Sequence, residues 1–353
     1  MSHQNRYANG FGNTENATTP KHTCMRANER SVIIKLTPQY ISRDGHALNF
    51  MHTDFQHIRK NGNAHIMLTQ DQIDFFNETG YLVVPDAVTA SELAAIKTDF
   101  ATWVEDSRGY AQSYGEMING KPRFDTETGH CAEKPLLRRV NAPHEISPAF
   151  FNVMSNSRMT DMVADLIGPD VKLHHSKINS KLPGAATAVK WHQDFPFTPH
   201  SNDSLVTALL MMDDVDEENG PLEVCPETHR GPLHSLWHDG TFTGAVANDV
   251  TENARKNHVT CLGKAGSVCL MHTRLLHGSA PNTSTNPRTL FICVYSAVDA
   301  IPLSPSPVPC TYQGHIVRGR DNGVVRTSEF ALEMPALPKG ASFFDQQSGQ
   351  SMQ

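Results

Sequence analysis

The sequence predicts a mainly β protein with helices ahead of an antiparallel sandwich or barrel, and a double-sheet jelly roll is the member of that class that suits a metal site. Short β-like runs separated by Gly, Pro, Asn and Asp clusters fill residues 171–298, with no helical pattern between them. Two helix-capping signals lie upstream of this region. A hydrophobic content of 39% in 353 residues is enough for a substantial core.

Helices are predicted first along the ordered part of the chain. Thr69 and Gln72 form a capping box ahead of apolar residues at helical spacing, and Thr89 with Glu92 forms a second one. Residues 81–84 between them are typical of a strand. A further helix is predicted over 154–166. The polar stretch 106–150 is expected to be irregular.

The β-like runs follow in the order 171–179, 188–195, 205–212, 222–225, 267–272 and 289–298. Beyond residue 300 the chain is rich in proline, and residues 316–326 give a hairpin signal with Asn322-Gly323 at its turn. We therefore expect three parts. These are a polar N-terminal extension over 1–66, a main domain over 67–300, and a C-terminal segment over 301–353 whose hairpin could cover the site on that domain.

Composition excludes several classes of partner. Thirty Lys and Arg against 37 Asp and Glu give a formal charge of −7, and the absence of a basic run argues against nucleic acid. No apolar stretch is long enough to span a bilayer, which argues against a membrane partner. The seven Cys include no C-x-x-C pair, and no signal peptide is visible, so we expect free thiols in the cytoplasm. A monomer or a homodimer fits equally well.

A candidate metal site centres on His192 and Asp194. Side chains two residues apart on an extended strand point to one face, so this imidazole and carboxylate can converge. A catalytic metal needs a third ligand, and His277 is the best candidate. Two His and one carboxylate with open positions form the ligand set of non-haem Fe(II) oxygenases. The same set would also serve a zinc hydrolase.

A candidate anion site lies just beyond His277. If residues 282–285 close a hairpin, Ser279 lies opposite Arg288. Arg288 also begins an alternating apolar row that must face inward, where an unpaired guanidinium is costly. A guanidinium fork beside a hydroxyl suits a carboxylate, which predicts a small dicarboxylate cosubstrate that also chelates the metal.

These motifs together resemble the phytanoyl-CoA dioxygenase family of Fe(II)- and 2-oxoglutarate-dependent oxygenases. The resemblance covers roughly residues 67–300. Its segments are 68–85, Lys181-Leu-Pro-Gly184, Trp191-His-Gln-Asp194, 214–226, His277-Gly-Ser-Ala-Pro-Asn282 and Arg288. One departure is Pro226-Glu-Thr-His, where relatives usually have Pro-Gly-Ser-His, and this loop is structural in the family.

The resemblance implies a double-stranded β-helix core and a set of site residues. Iron would be held by His192, Asp194 and His277, and the distal carboxylate of 2-oxoglutarate by Arg288 and Ser279. Lys177, Asn179 and Arg139 would contact cosubstrate or substrate.

The implied reaction hydroxylates a small organic substrate with O2 and releases succinate and CO2. Asp194 favours hydroxylation, because related halogenases carry a small residue there. The alternatives are a zinc hydrolase, which leaves Arg288 and Ser279 unexplained, and a non-catalytic β-sandwich binding protein.

Basic residues offer a hypothesis about the substrate. If the C-terminal hairpin folds over the mouth of the barrel, an anionic substrate could meet a basic cluster. Its members would be Arg318, Arg320, Arg326, Arg139, Lys177 and Lys190. The adjacent pair His174 and His175 is predicted to be structural, since neighbours on a strand face opposite ways.

Overall fold

The structure is a computed structural model that describes residues 39–42, 47–48, 67–183, 187–336 and 347. Of the N-terminal extension predicted over 1–66, only two short strands fall within the described residues. The remainder of that prediction lies outside them.

Five described α-helices accompany the strands, and one of them lies within the β-rich region 171–298, where we expected no helix. They are α1 (Gln70–Thr79), α2 (Ala90–Ser107), α3 (Pro148–Asn156), α4 (Arg158–Ile167) and α5 (Asn248–Asn257). Both predicted capping boxes form, at Thr69 and Thr89. The helical character predicted over 154–166 is confirmed, but two helices share this range instead of one. Ser157 adopts an extended backbone with ψ 167°, which ends α3 and lets α4 start in a new direction.

The described strands, in chain order, are β1 (Gln39–Ser42), β2 (Ala47–Leu48), β3 (Tyr81–Val84), β4 (Tyr114–Ile118), β5 (Lys121–Thr126), β6 (Leu137–Asn141), β7 (Val171–Lys181), β8 (Val189–His192), β9 (Leu205–Met211), β10 (Leu222–Val224), β11 (Trp237–His238), β12 (Thr241–Phe242), β13 (Val259–Cys261), β14 (Val268–His272), β15 (His277–Ser279), β16 (Arg288–Ala297), β17 (Ile316–Arg318) and β18 (Val324–Thr327). The six β-like runs predicted beyond residue 170 are all strands, within a few residues at their ends.

Two antiparallel sheets form the body of the protein. The larger runs in the order β3-β14-β9-β16-β7-β6-β5-β4, with β17 also on β7, and the smaller in the order β13-β10-β15-β8. This two-sheet arrangement confirms the predicted mainly β, jelly-roll class with N-terminal helices. The stretch 106–150, which we expected to be irregular, supplies β4, β5 and β6. The polar residues of this stretch hid the strands, because β4 and β5 near the sheet edge are largely accessible to solvent, and β6 buries the polar residues Arg139 and Asn141 beside its apolar ones.

The alternation along β16 shows how the layers pack. Phe291 and Tyr295 face the helices, where they join a core with Phe150 and Met154. Leu290 and its alternating partners face the smaller sheet, as the apolar row after Arg288 predicted. The strand is buried along its whole length, which explains its continuous apolar sequence.

The hairpin predicted over 316–326 does not form. β17 pairs with β7, whereas β18 pairs with β1. Arg318 donates to Asp161 at 2.5 Å and Arg326 to Asp299 at 3.1 Å, so ion pairs hold the two segments at separate places. These arginines do not line the cavity described below. The hypothesis that a hairpin carries them over the mouth of the barrel was therefore wrong.

In the part of the chain that the structure describes, no helix is long and apolar enough to cross a bilayer.

Candidate active site

Two histidines meet side by side in the smaller sheet. His192 at the end of β8 is the direct cross-strand partner of His277 at the start of β15, and their rings are 4.1 Å apart. His192 Nδ1 lies 2.8 Å from the carbonyl of Lys190, and His277 Nδ1 lies 3.0 Å from that of Leu275. A carbonyl can only accept, so each Nδ1 carries the proton. Each Nε2 therefore keeps a lone pair for a metal.

Asp194 completes this group, though not from a strand as predicted. β8 ends at His192, and Asp194 has helical backbone angles at the start of a tight turn that contains Pro196. Its Oδ1 lies 3.5 Å from His192 Nε2 and 3.7 Å from His277 Nε2. Its Oδ2 accepts a hydrogen bond of 2.8 Å from Thr207 Oγ1. Gln193 faces away, as predicted, and donates to the carbonyls of residues 232 and 274.

The donor set fits a divalent metal of the iron type. The three ligand atoms all lie within 4.8 Å of one another, and two imidazoles plus one carboxylate leave open coordination positions. Burial, followed by the neighbouring His192, lowers the pKa of His277 to about 4, so this ligand is neutral near pH 7. Burial acts to raise the pKa of Asp194, but His277 and His192 outweigh it and hold that pKa well below its ordinary value.

A cavity of about 140 Å³ opens beside the three ligands, between the two sheets. Its wall includes His192, Asp194 and His277, and all five residues predicted to contact cosubstrate or substrate, which are Arg288, Ser279, Lys177, Asn179 and Arg139. The fold therefore brings every predicted site residue to one space. Phe197 also lines the cavity, whereas Phe195 belongs to the core.

The predicted hairpin between Ser279 and Arg288 was wrong. Ser279 pairs with Leu222 and Val189 in the smaller sheet, whereas Arg288 pairs with Lys181 in the larger one. The connection is long enough to cross between sheets, and Asn282 shapes it by donating to the carbonyls of residues 181 and 286. The two side chains still reach the same cavity, from opposite walls.

Arg288 is buried and held by a single carbonyl. Its Nε and Nη2 donate to Gly220 O at 2.8 and 2.6 Å, and burial lowers its pKa to about 10. Among the described residues it forms no ion pair. A buried guanidinium with one neutral acceptor still favours an anion.

The alternation of β7 places four polar residues on the cavity wall, which are His175, Lys177, Asn179 and Lys181. Arg139 on β6 pairs with Asn179 and donates to its Oδ1 at 3.0 Å. Lys181 donates to Ser279 Oγ at 2.8 Å and to Ala280 O. Burial, then the nearby Arg288, lowers the pKa of Lys181 well below its ordinary value.

The sequence analysis did not include Lys181, Thr207 or His175 among the site residues, and it predicted a structural role for His175. Alternate residues of a strand share a face, so Lys181 and His175 could have been placed on the cavity wall from their spacing to Lys177. The same alternation, which led us to predict a structural role for His175, puts His175 on the face of Lys177. His174 lies where the β7–β16 register shifts, and its Nδ1 is 2.7 Å from His175 Nδ1. No local signal marked Thr207, because its role depends on Asp194 across the cavity.

Known proteins resemble this chain throughout the described core. The sequence model of the family "Phytanoyl-CoA dioxygenase (PhyH)" matches residues 76–290, which is more than half of the chain. A probable alpha-ketoglutarate-dependent hypophosphite dioxygenase from Stutzerimonas stutzeri is 31% identical over 273 residues, which cover 76% of this chain and 92% of that protein. Peroxisomal phytanoyl-CoA dioxygenase from Bos taurus is 25% identical over 265 residues, 71% of this chain and 74% of that protein.

Solved structures agree on the fold. The structure of EctD from S. alaskensis with bound Fe has a TM-score of 0.57 and 22% identity to this chain, and covers 72% of this chain and 86% of that one. The sequence match and the relative at 31% identity carry the assignment of family. The chain belongs to the phytanoyl-CoA dioxygenase family of Fe(II)- and 2-oxoglutarate-dependent oxygenases.

Proposed function

We propose that His192, Asp194 and His277 hold Fe(II), and that Arg288 and Ser279 bind the distal carboxylate of 2-oxoglutarate. The observation that carries the proposal is the convergence of three ligand atoms within 4.8 Å, with both imidazole protons fixed on the far nitrogen. Arg288 supplies a cation on the wall of the same cavity. In a zinc hydrolase this buried arginine would have no anionic ligand to bind.

The reaction of this enzyme class combines a substrate R–H with 2-oxoglutarate and O2 to give R–OH, succinate and CO2. When bound, the metal supplies the O2-dependent oxidation. The chain binds and orients both organic molecules in a space enclosed by the two sheets, which limits access of water. Thr207 donates a hydrogen bond to Asp194 Oδ2, so Asp194 Oδ1 would be the oxygen that coordinates the metal.

The relatives support a small-molecule substrate but differ in what they act on. Their names give hypophosphite, ectoine and phytanoyl-CoA as substrates. Because these relatives share one type of reaction but act on different substrates, we infer that the residues of the cavity wall determine the substrate specificity. For this chain we propose hydroxylation of a small organic molecule.

The proposal also covers the C-terminal segment, the cellular location, the division of the chain into parts and the oligomeric state. The C-terminal segment covers the active site through Pro305, Pro307 and Pro335, which line the cavity, although not through a hairpin. The six cysteines within the described residues are free thiols, which supports a cytoplasmic location. The division into parts at residues 66 and 300, and a monomeric or homodimeric state, remain predictions.

The test begins with purified protein under anaerobic conditions. Addition of Fe(II) and then 2-oxoglutarate should produce a faint violet absorption band, and admission of air should release succinate. A zinc hydrolase would give no such band, and a binding protein would give the band without succinate. Loss of the band in Arg288→Ala at moderate 2-oxoglutarate, with recovery at high concentration, would identify the anchor.

A further inference from the structure

The strand that carries His192 lies at the edge of its sheet. β8 ends the strand order of the smaller sheet, with β15 as its neighbour. The pairing of these two strands shifts register between Val189 and His192, so the regular ladder does not hold the peptide groups in between. Lys190 lies in this interval. Its backbone N–H and carbonyl therefore need partners from outside the sheet.

Gln347 in the C-terminal segment supplies these partners. Its Oε1 accepts a hydrogen bond of 2.9 Å from Lys190 N, and its Nε2 donates to Lys190 O at 3.4 Å and to Gly244 O at 2.9 Å. Gln347 is 3% exposed, and these three hydrogen bonds of its amide all go to backbone atoms. The side chain thus bonds to the edge of β8 much as the backbone of a neighbouring strand would.

The carbonyl that Gln347 contacts also holds the ring of His192. Lys190 O accepts a hydrogen bond of 2.8 Å from His192 Nδ1, and a carbonyl has two lone pairs, so it can accept from both side chains. The orientation of a metal-binding imidazole depends on the partner of its other nitrogen. Loss of Gln347 would free the peptide group of Lys190 to rotate, and the ring of His192 would follow. His277 depends instead on the carbonyl of Leu275.

The loop that contains Gly244 supports the same ring from a second side. Gly244 has φ +64°, and a Cβ there would lie 3.2 Å from Phe197, so glycine lets this loop approach Phe197 closely. Phe197 packs edge-on against His192, with the ring centres 5.7 Å apart. Because Gln347 bonds to both Lys190 and Gly244, it ties together the two elements that surround His192.

We propose that Gln347 is a positioning residue for His192, and that it acts through the backbone of Lys190. The proposal rests on the proposed function, since it takes His192 as a ligand of Fe(II). Gln347 holds the acceptor of the Nδ1 proton in place, which keeps His192 Nε2 directed at the metal. The C-terminal segment then contributes to the affinity of the metal site, and metal binding in turn favours the docking of Gln347.

Metal affinity measures this role without turnover. The metal-free full-length protein is titrated with Co(II), whose visible absorption reports its ligands. Gln347→Met keeps the length of the side chain and removes its hydrogen bonds. The direct partner of a metal-binding histidine typically contributes about ten- to a hundredfold in metal affinity, and Gln347 acts one hydrogen bond further away, so we expect a loss of about three- to tenfold. At saturating Co(II), the affinity for 2-oxoglutarate measured by calorimetry should stay within about twofold of the parent.

Proton NMR of the Co(II) protein distinguishes the two histidines. The Nδ1 protons of imidazoles bound to paramagnetic Co(II) give strongly shifted signals that disappear in D2O. We expect two such signals in the parent, from His192 and His277. Gln347→Met should shift one of them and leave the other in place, whereas a general loosening of the site would move both.

Two further variants complete the experiment. Gln347→Glu keeps an acceptor for Lys190 N, but its carboxylate cannot donate to Lys190 O, so it should lose metal affinity as Gln347→Met does. Gln70→Met is the matched control, because it removes an exposed amide that bonds to Asp74 within α1. All titrations are run well below the melting midpoint of the least stable variant.

The proposal is overturned if Gln347→Met binds Co(II) like the parent, if both shifted signals move together, or if Gln347→Glu retains the parent's affinity. It is also overturned if Gln347→Met weakens 2-oxoglutarate binding and leaves metal affinity unchanged. Failure of the proposed function has a different signature. In that case the parent itself does not bind Co(II), or His192→Ala binds it as tightly as the parent.

Discussion

Lys181 on the larger sheet donates a hydrogen bond of 2.8 Å to Ser279 Oγ on the smaller sheet. With an anion in the cavity the protonated amine is favoured, and an ammonium group only donates. Ser279 Oγ therefore accepts from Lys181, and its own proton is free to point into the cavity. Lys181 thus positions the hydroxyl that we expect to contact 2-oxoglutarate.

Lys181→Met should raise the KM for 2-oxoglutarate about three- to tenfold with little change in kcat, as expected for the loss of one hydrogen bond. The measurement is a double-mutant cycle with Ser279→Ala. If Lys181 acts through Ser279, Lys181→Met adds little in the Ser279→Ala background. Fully additive effects would mean that Lys181 acts through its own charge.

His192→Ala, Asp194→Ala and His277→Ala should each abolish iron-dependent succinate release while the fold survives, because each removes one of three ligands. The measurement is succinate release together with the iron content of purified protein. Thr207→Val serves as a graded control. It removes the 2.8 Å bond to Asp194 Oδ2 and should weaken iron binding about tenfold or more. Full activity in any of the three alanine variants would refute the triad.

Arg288→Ala should raise the 2-oxoglutarate requirement by about one to two orders of magnitude, since a charge-assisted hydrogen bond contributes about 1.5–3 kcal/mol. Arg288→Lys should recover only part of the loss, because a point charge cannot form the guanidinium fork. Steady-state kinetics against 2-oxoglutarate distinguish the two variants. An unchanged requirement in Arg288→Ala would point to Arg139 or Lys177 as the anchor.

Gly220→Ala should displace the backbone carbonyl that accepts the hydrogen bonds of Arg288. Gly220 has φ +78°, and a Cβ there would lie 2.7 Å from Ala280 O. The left-handed conformation alone costs about 1–2 kcal/mol for alanine, and the clash moves the carbonyl that holds Arg288. We expect a lower thermal midpoint and a raised KM for 2-oxoglutarate. A variant with lower stability and an unchanged KM would show that Arg288 does not depend on this carbonyl.

His144 should make the fold sensitive to acid. It is buried, its Nδ1 lies 2.6 Å from Ser176 Oγ, and burial lowers its pKa from 6.5 to about 4. Between these two values the unfolded chain binds a proton that the folded chain does not, so stability falls as the pH drops through this window. The expected slope is about 1.4 kcal/mol per pH unit. Urea midpoints of His144→Gln should depend less on pH in this window than those of the parent, whereas equal pH dependence would contradict the assignment.

Local sequence determined much of this protein. The capping boxes at Thr69 and Thr89, the strands beyond residue 170 and the inward row from Arg288 all follow from short-range periodicity. The sequence also singled out His192, Asp194 and His277, and the structure brings their ligand atoms within 4.8 Å of one another, although Asp194 does not lie on a strand as the spacing argument assumed. Where the hydrophobic periodicity was weak, as in the polar strands of 106–150, the prediction of irregular structure was wrong.

Only the tertiary structure decided which strands are neighbours. The turn signals at 282–285 and at Asn322-Gly323 suggested local hairpins, but β15 and β16 lie in different sheets, and β17 and β18 pair with distant strands. Turn residues permit a reversal of the chain, whereas the burial of long apolar faces selects the partner. For the same reason the contacts of Lys181 with Ser279, and of Thr207 with Asp194, could not be predicted. Each joins residues that are brought together only when the two sheets pack around the cavity.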